Sequence, residues 1–373
     1  MCPKPNEVYS LIEKTMPDKV SQLRVELLKE ARSFPIKVLG MGALYPTLSR
    51  WWLTTIAIKK AKKKFGVNPN LIFFSWLDGY IYLGYSAWVC SLVYKIVELI
   101  FPYQWSGLIF HIEAGSRDIQ NSINKPDAYK ILRSTKCKAI AVLDEVRAIN
   151  LKYLGKKIVV FPDVADDATV DVTCDIVQKV RKAADGKKVI GLLGYLEKRK
   201  GILSLIEIAK KTTQEPWFFI FAGVLAKDTF SLDEIKIITH FVNSNPLNCF
   251  FYFDRISEES QFNALVKQCD VLYAVYKKFP SSSNILTKAA IFKKKILVAS
   301  GYCMASRVDK FNLGASVDED NVVQHISSLK LLLDQEDIYQ YSENRGFEEY
   351  KKLHSVDRLR QVFFSILSEN NEI

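Results

Sequence analysis

Two rhythms of apolar positions organise the chain: short continuous apolar runs, and longer segments with apolar residues three and four apart. In the first half, Val20, Leu23, Leu27 and Leu28 recur at helical spacing over 18–32, with Asp18 as an N-cap after Pro17. A short apolar strand, Pro35 to Leu39, then runs into Gly40-Met41-Gly42. The pattern predicts a helix over 48–64, a buried strand over Leu71–Trp76, a long aromatic-rich helix over roughly 80–100 and a strand over Gly107–Ile112. A helix near 127–135, a strand over Ala139–Leu143, a short helix over 146–154 and a strand over Lys157–Phe161 follow. Residues 162–186 break the rhythm with Asp163, Asp166, Asp167 and Asp171 and a polar helix ending near Asp185-Gly186, which reads as a linker. The alternation then restarts. Strands are expected at Val189–Leu193, Trp217–Phe221, Cys249–Phe253, Val271–Ala274 and Ile296–Ala299, with helices near 201–211, 231–242, 257–268 and 284–292 and an amphipathic tail over about 344–368. Apolar strands alternating with helices imply an α/β protein with mostly parallel sheets covered on both faces.

The 373 residues are enough for two domains with substantial cores, and 49% hydrophobic with 25% charged residues exclude wholesale disorder. No repeat stands out, which excludes a solenoid. Seven scattered cysteines argue against a disulfide framework and a zinc ribbon, and the start Met-Cys-Pro-Lys-Pro-Asn lacks an apolar core of signal-peptide length. The expected location is therefore cytoplasmic. Tyr80–Phe101 is the one stretch resembling a membrane span, but Lys95 and Glu98 fall in its last third and Pro102 ends it, so a helix packed on the sheet is expected.

The net charge of +11 is uneven: residues 1–168 hold 24 Lys and Arg against 15 Asp and Glu, leaving only +2 for the rest. An anionic partner for the first half is implied. Trp51 and Trp52 precede a lysine run, Lys59, Lys60, Lys62, Lys63 and Lys64, with Tyr80, Tyr82, Tyr85 and Trp88 following. This composition suits an anionic membrane surface, although Trp51 and Trp52 equally suit a core, because 48–65 has no clean apolar stripe. Nucleic acid is not expected: no recognised motif is present, and the lysines cluster on one helix.

Candidate chemistry lies in the second half. Strand 189–193 ends in Gly194, and Tyr195-Leu196-Glu197-Lys198-Arg199-Lys200-Gly201 opens a helix. Glycines allow close backbone approach, a helix start supplies free amides, and Arg199 and Lys200 neutralise phosphate. It is not a Walker loop, since Gly-Lys-Ser/Thr is absent. A second strand–loop–helix unit carries Ser281, Ser282, Ser283 and Asn284 at its helix start, where hydroxyls serve as N-cap or as phosphate ligands.

In order, these segments resemble the retaining GT-B glycosyltransferases. Residues 189–201 resemble the opening of the family's donor domain, with Lys200 at the position of the lysine that holds the donor pyrophosphate and Tyr195 where arginine is usual. Phe219–Gly223, Phe251–Val275 and Ser282–Ser300 resemble the following donor-domain segments, and His111, ending Gly107–Ile112, resembles the histidine facing the donor sugar. The tail is similar to the helix that crosses back onto the first domain.

The resemblance implies two Rossmann-like domains facing a cleft: an N-terminal acceptor-side domain over 1–168, a donor domain over 169–345 and a C-terminal crossing helix over 346–373. It implies transfer of a sugar from a nucleotide-sugar to a saccharide or lipid-linked acceptor, without metal or cofactor, in polysaccharide or glycoconjugate assembly at the inner membrane face. Gly194, Tyr195, Arg199, Lys200, Ser282, Ser283, Asn284 and Lys288 would hold the donor, while His111 would position the sugar. Trp51, Trp52, Lys59, Lys60 and Lys63 would lie on the membrane or acceptor side. Two departures matter. The family commonly carries two glutamates around its donor helix; here Pro280-Ser281-Ser282 lacks the first, and Lys288 stands near the second. A lysine cannot accept hydrogen bonds from ribose hydroxyls but can pair with phosphate or an acidic sugar. In addition, no apolar strand precedes 18–32, where the family begins with one. A catalytically silent GT-B protein that binds a sugar nucleotide or a protein partner is the alternative.

Overall fold

The computed structural model describes residues 44–66, 68–81, 87–110, 129–167, 169–334 and 340–367. His111 and the expected elements at 18–32 and 35–39 lie outside these. The elements are α1 (Leu44–Phe65), β1 (Ile72–Phe74), α2 (Ala87–Ile100), β2 (Trp105–Ile109), β3 (Cys137–Val142), α3 (Glu145–Asn150), β4 (Lys157–Val160), α4 (Asp175–Ala184), β5 (Lys188–Leu193), α5 (Ile202–Lys211), β6 (Trp217–Ala222) and α6 (Leu232–Asn243). They continue with β7 (Cys249–Tyr252), α7 (Glu259–Gln268), β8 (Val271–Ala274), α8 (Asn284–Ile291), β9 (Lys295–Ala299), α9 (Cys303–Phe311), β10 (Gly314–Val317), α10 (Val322–Asp334), α11 (Gln340–Leu353) and α12 (Val356–Leu367).

Two sheets form, in the orders β1-β2-β3-β4 and β10-β9-β8-β5-β6-β7. The α/β class expected from the sequence is observed. Continuous apolar runs become buried strands: every residue of β6 is buried, as is every residue of β5 after Lys188. Differences fall where the pattern is weak. Residues 127–135 yield one 3-10 turn, Lys130–Arg133; α2 starts at Ala87 after the turn Asp78–Tyr80; and α9, β10 and α10 had no predicted counterpart.

The chain divides into two compact units. The first is Met1–Leu108 with Asn121–Lys138 and Leu154–Lys156; the second is Ile109–Gln120 with Ala139–Tyr153 and Lys157–Ile373. Residues 139–153 and 157–163 group with the second unit because Arg307 of α9 donates to Leu143 O at 2.7 Å and pairs with Glu145 at 3.2 Å, while Ser282 donates to Asp163 at 2.8 Å.

The first unit is centred on Trp51. Its ring is fully buried and meets Phe74, Tyr80, Phe101 and Trp105 edge-on at 4.9–5.5 Å, and its Nε1 donates to Tyr80 O at 2.9 Å. Of the two readings of this residue, core is the one observed, and Trp51 is unavailable to a membrane. Trp52, one residue on, is 53% exposed.

In the second unit, the faces of the six-stranded sheet carry separate cores. One is built around Leu193, Phe218, Leu272, Leu286 and Tyr350, the other around Leu192, Phe219, Phe221, Tyr273 and Leu329. No described helix is long and apolar enough to cross a membrane.

Truncating Trp51 to alanine should cost about 3–5 kcal/mol, because five rings share one cluster. Trp52→Ala should change stability by less than about 0.5 kcal/mol. Urea unfolding followed by far-ultraviolet circular dichroism measures both; comparable losses would show that the Trp51 cluster does not hold the first unit together.

Candidate functional site

Strands β5, β6 and β7 extend the larger sheet in one direction, and β8, β9 and β10 extend it in the other. The order therefore reverses between neighbouring β5 and β8, where carboxyl-end loops part and leave a crevice for ligands. Both loops singled out in the sequence leave the sheet there.

The turn after β5 is shaped by close backbone approach. Gly223, ending β6, has φ of +128°, and a Cβ on it would fall 1.8 Å from Gly194 O, so only glycine fits. Leu196 N donates to Val224 O at 2.8 Å and Ala226 N to Leu196 O at 3.0 Å, keeping the two loops paired beyond the strands. The 3-10 turn Lys198–Lys200 then delivers Gly201 to the start of α5 at φ +76°, where a Cβ would lie 2.7 Å from Val275 O. Lys277 N donates to Arg199 O at 2.7 Å, binding the turn to the loop after β8.

Two cations are presented on this frame. The Arg199 guanidinium lies 4.3 Å from the Phe279 ring centroid, and its Nη2 donates to Glu197 at 2.5 Å. Its Nη1 is buried without a hydrogen-bond partner, a donor still owed an acceptor. The Lys200 ammonium sits 5.3 Å from the Tyr276 ring centroid and 3.4 Å from where a Cβ on Gly194 would stand. Tyr195 is 54% exposed beside them. Lys198 points elsewhere, pairing with Glu234 at 2.8 Å. The structure thus brings together Gly194, Arg199 and Lys200, adding Tyr276 and Phe279, which sequence reasoning missed.

The β8–α8 loop is held at both ends. Lys277 pairs with Asp320 at 2.6 Å, and Lys278, at φ +48°, donates its N–H to Glu319 at 2.8 Å. At the other end, Ser282 is buried and its hydroxyl is committed: it donates to Asp163 and accepts from Arg307 Nη1, both at 2.8 Å. Arg147 donates to Phe110 O at 2.7 Å and to Ser281 Oγ at 3.4 Å. Ser283 occupies the N-cap of α8, but its side chain makes no capping bond, and Asn284 is exposed. The α8 start thus keeps amides that no side chain caps.

Lys288 is placed differently from the expectation. Its side chain is 3% exposed, and its ammonium donates to Asp166 O at 3.1 Å, Glu259 at 3.0 Å and Asn263 at 2.5 Å. All three donors are spent within the protein, which removes Lys288 as a phosphate or sugar ligand. Lys59, Lys60 and Lys63 are exposed on α1. Among the described residues, no group of three or more His, Cys, Asp or Glu is arranged to hold a metal ion.

Asp163, Arg307 and His354 also escaped the sequence reading. Burial pushes the Asp163 carboxyl above the usual range, opposed by the Ser282 hydrogen bond and the Arg307 charge. His354 Nδ1 accepts from Asp163 N at 2.9 Å while the ring stacks on Tyr350 at 4.1 Å. Burial, assisted by Arg307, depresses this imidazole to about 3.

No protein-family model matches the sequence, and no curated protein matches it. Solved structures do. The UDP-forming α,α-trehalose-phosphate synthase of Burkholderia vietnamiensis superposes with a TM-score of 0.64 at 11% identity, over 86% of this chain and 76% of its own. The sucrose-phosphate synthase of Thermosynechococcus elongatus gives 0.60 at 13%, over 92% and 87%. Anabaena HepE, in complex with UDP, gives 0.56 at 12%, over 96% and 89%. These neighbours share the GT-B architecture, and the chain has that fold. What is common at these identities is the fold.

Acid should weaken the protein through His354. Below the ordinary value of 6.5 the unfolded chain takes up a proton that the buried ring refuses until about 3, so stability falls as pH drops between these values. Asp163 acts oppositely: its raised native value lets the folded state take a proton first, returning some stability on the way down towards 3.8. His354→Gln keeps an acceptor for Asp163 N–H and removes the ring's titration. Between pH 6.5 and roughly 5 the variant should lose about 2 kcal/mol less than the parent in urea titrations. Equal losses would show that the ring protonates in the folded state.

Proposed function

We propose that the chain is a glycosyltransferase that moves a sugar from a nucleotide-sugar donor to a saccharide or lipid-linked acceptor, retaining anomeric configuration and using no metal. The observation that carries this reading is the pair Arg199 and Lys200, set against Gly194 at the sheet's switch point, with one guanidinium N–H lacking a partner. Such a pair suits a diphosphate: two cations, close backbone and the uncapped amides of α8 supply positive potential without a bound ion. The neighbours named as sugar-phosphate synthases, and the one in complex with UDP, support a nucleotide-sugar and a saccharide partner.

In the reaction, the bond between the anomeric carbon and the diphosphate oxygen breaks, and the electron pair leaves with the nucleoside diphosphate. The acceptor hydroxyl adds to the anomeric carbon and passes its proton to the departing diphosphate oxygen. Arg199 and Lys200 stabilise the charge gathering on the departing diphosphate, which is greater in the transition state than in the bound donor. Tyr276 and Phe279 hold the two cations in place from below. His111 is the residue we assign to positioning the sugar.

One observation favours a catalytically silent protein instead: Lys288 is locked to Glu259 and Asn263, and Pro280-Ser281-Ser282 offers no carboxylate, so no acid contacts the donor from α8 or its loop. Binding and turnover separate the two readings. A sugar nucleotide at a hundred times its Kd should raise the thermal midpoint by about 5–10 °C. Lys200→Ala should weaken binding by roughly 10- to 100-fold, the worth of a charge-assisted hydrogen bond. Release of nucleoside diphosphate that Lys200→Ala suppresses supports transfer. Binding without release supports the silent protein, and no shift with any sugar nucleotide defeats transfer and leaves the silent protein only a protein partner.

A further inference from the structure

Helix α2 turns an apolar face to water. Cys90, Val93 and Val97 are buried on one side, whereas Trp88, Leu92 and Leu99, four and seven residues apart, are 70%, 45% and 84% exposed on the other. Lys95 is exposed on the same stripe. A helix lying on an α/β domain ordinarily reserves that side for charged and polar residues.

The neighbouring helix supplies the charge. Thr55 Oγ1 of α1 donates to Ile100 O of α2 at 3.2 Å, and one turn beyond Thr55 come the exposed Lys59, Lys60, Lys62 and Lys63. The cationic end of α1 therefore adjoins the Leu99 end of α2. Exposed Trp52 shares a stripe with Lys59 and Lys63, seven and eleven residues on. None of the 22 residues of α1 is acidic, and the one acid of α2, Glu98, is only partly exposed and engaged by Ser134 and Lys136. Every charge that α1 and α2 expose fully is positive.

We propose that this α1–α2 surface docks on an anionic lipid bilayer, with Trp88, Leu92 and Leu99 entering the boundary between headgroups and acyl chains and Lys59, Lys60, Lys63 and Lys95 neutralising lipid phosphates. Charge complementarity selects this occupant: flexible lysines around tryptophan and leucine match a fluid anionic interface, where long cationic side chains snorkel and indoles anchor. Neither helix is long and apolar enough to span, so the surface lies on the membrane. The inference concerns the first unit alone and holds whether or not the chain transfers sugar.

The test is flotation of the full chain with vesicles of phosphatidylcholine, and with vesicles of seven parts phosphatidylcholine to three parts phosphatidylglycerol. The protein should float only with the anionic vesicles, and less in concentrated salt. The double variant Trp88→Ser, Leu99→Ser should reduce flotation at least about tenfold with an unchanged thermal midpoint, since both side chains face water. The pair Lys59→Glu, Lys63→Glu should abolish the preference for anionic vesicles. Three results would overturn the proposal: no flotation with anionic vesicles, flotation indifferent to both variants, or a dimer that the Trp88, Leu99 variant dissociates. A thermal midpoint lowered by that variant without vesicles would also overturn it, showing that protein already covers the stripe.

Discussion

The guanidinium of Arg307 is buried among groups that the chain supplies from widely separated places. The residue is 3% exposed, and its donors reach Leu143 O and Glu145 at the end of β3, and Ser282 Oγ before α8. A charge taken this far from water is tolerable only if its donors are met and an anion stands close, a demand that Glu145 and the nearby Asp163 fulfil. Removing one partner would leave another buried and unpaired, so these segments hold their places together or not at all. That mutual requirement explains why residues 139–153 and 157–163 belong with the second unit, and it fixes where the first turn of α8 begins.

The candidate site inherits its geometry from this arrangement and from the glycine contacts. Ser282 is pinned by Asp163 and Arg307, so the loop from Tyr276 to Ser281 is closed at its α8 end, while Lys277 and Lys278 close it on Asp320 and Glu319. Phe279 and Tyr276 are then held under Arg199 and Lys200. From the other side, Gly223 against Gly194 and Gly201 against Val275 bring the cation-bearing turn within reach of the same strand ends. Preorganised charge of this kind costs no rearrangement when an anion arrives, which is where such a site gains over flexible surface lysines.

Much of this was legible in the sequence because burial on both faces of a parallel strand leaves an unbroken apolar run. Trp217–Ala222 and Val271–Ala274 could hardly be read otherwise. β10 escaped notice because Gly-Ala-Ser-Val carries no such run, although it pairs with β9 through all four residues. The Lys198–Gly201 turn was visible because glycine spacing and cations report local backbone geometry. Asp163, Arg307 and His354 were not, because their meaning lies in contacts between positions up to 191 residues apart. Asp163 read as one more acid of a linker. Arg307 lies in α9, a helix the apolar pattern does not predict, and only the fold shows that it is buried.

Lys288 shows the limit of reading a residue by its place in a resembling segment. Its position in the donor helix suggested a ligand contact, yet the helix turns that face inward, where Asn263 is fully buried and Glu259 partly so. There the ammonium joins α8 to α7 and to the chain at Asp166. A glutamate at this point would bring a second carboxylate to Glu259 and withdraw the ammonium donor from the Asn263 and Asp166 carbonyls, so the lysine suits its surroundings as a structural link. The consequence is chemical: under the proposed function, recognition of a donor at this end of the sheet would rest on Arg199, Lys200 and backbone amides, groups that read phosphate charge and leave the sugar hydroxyls to residues elsewhere in the chain.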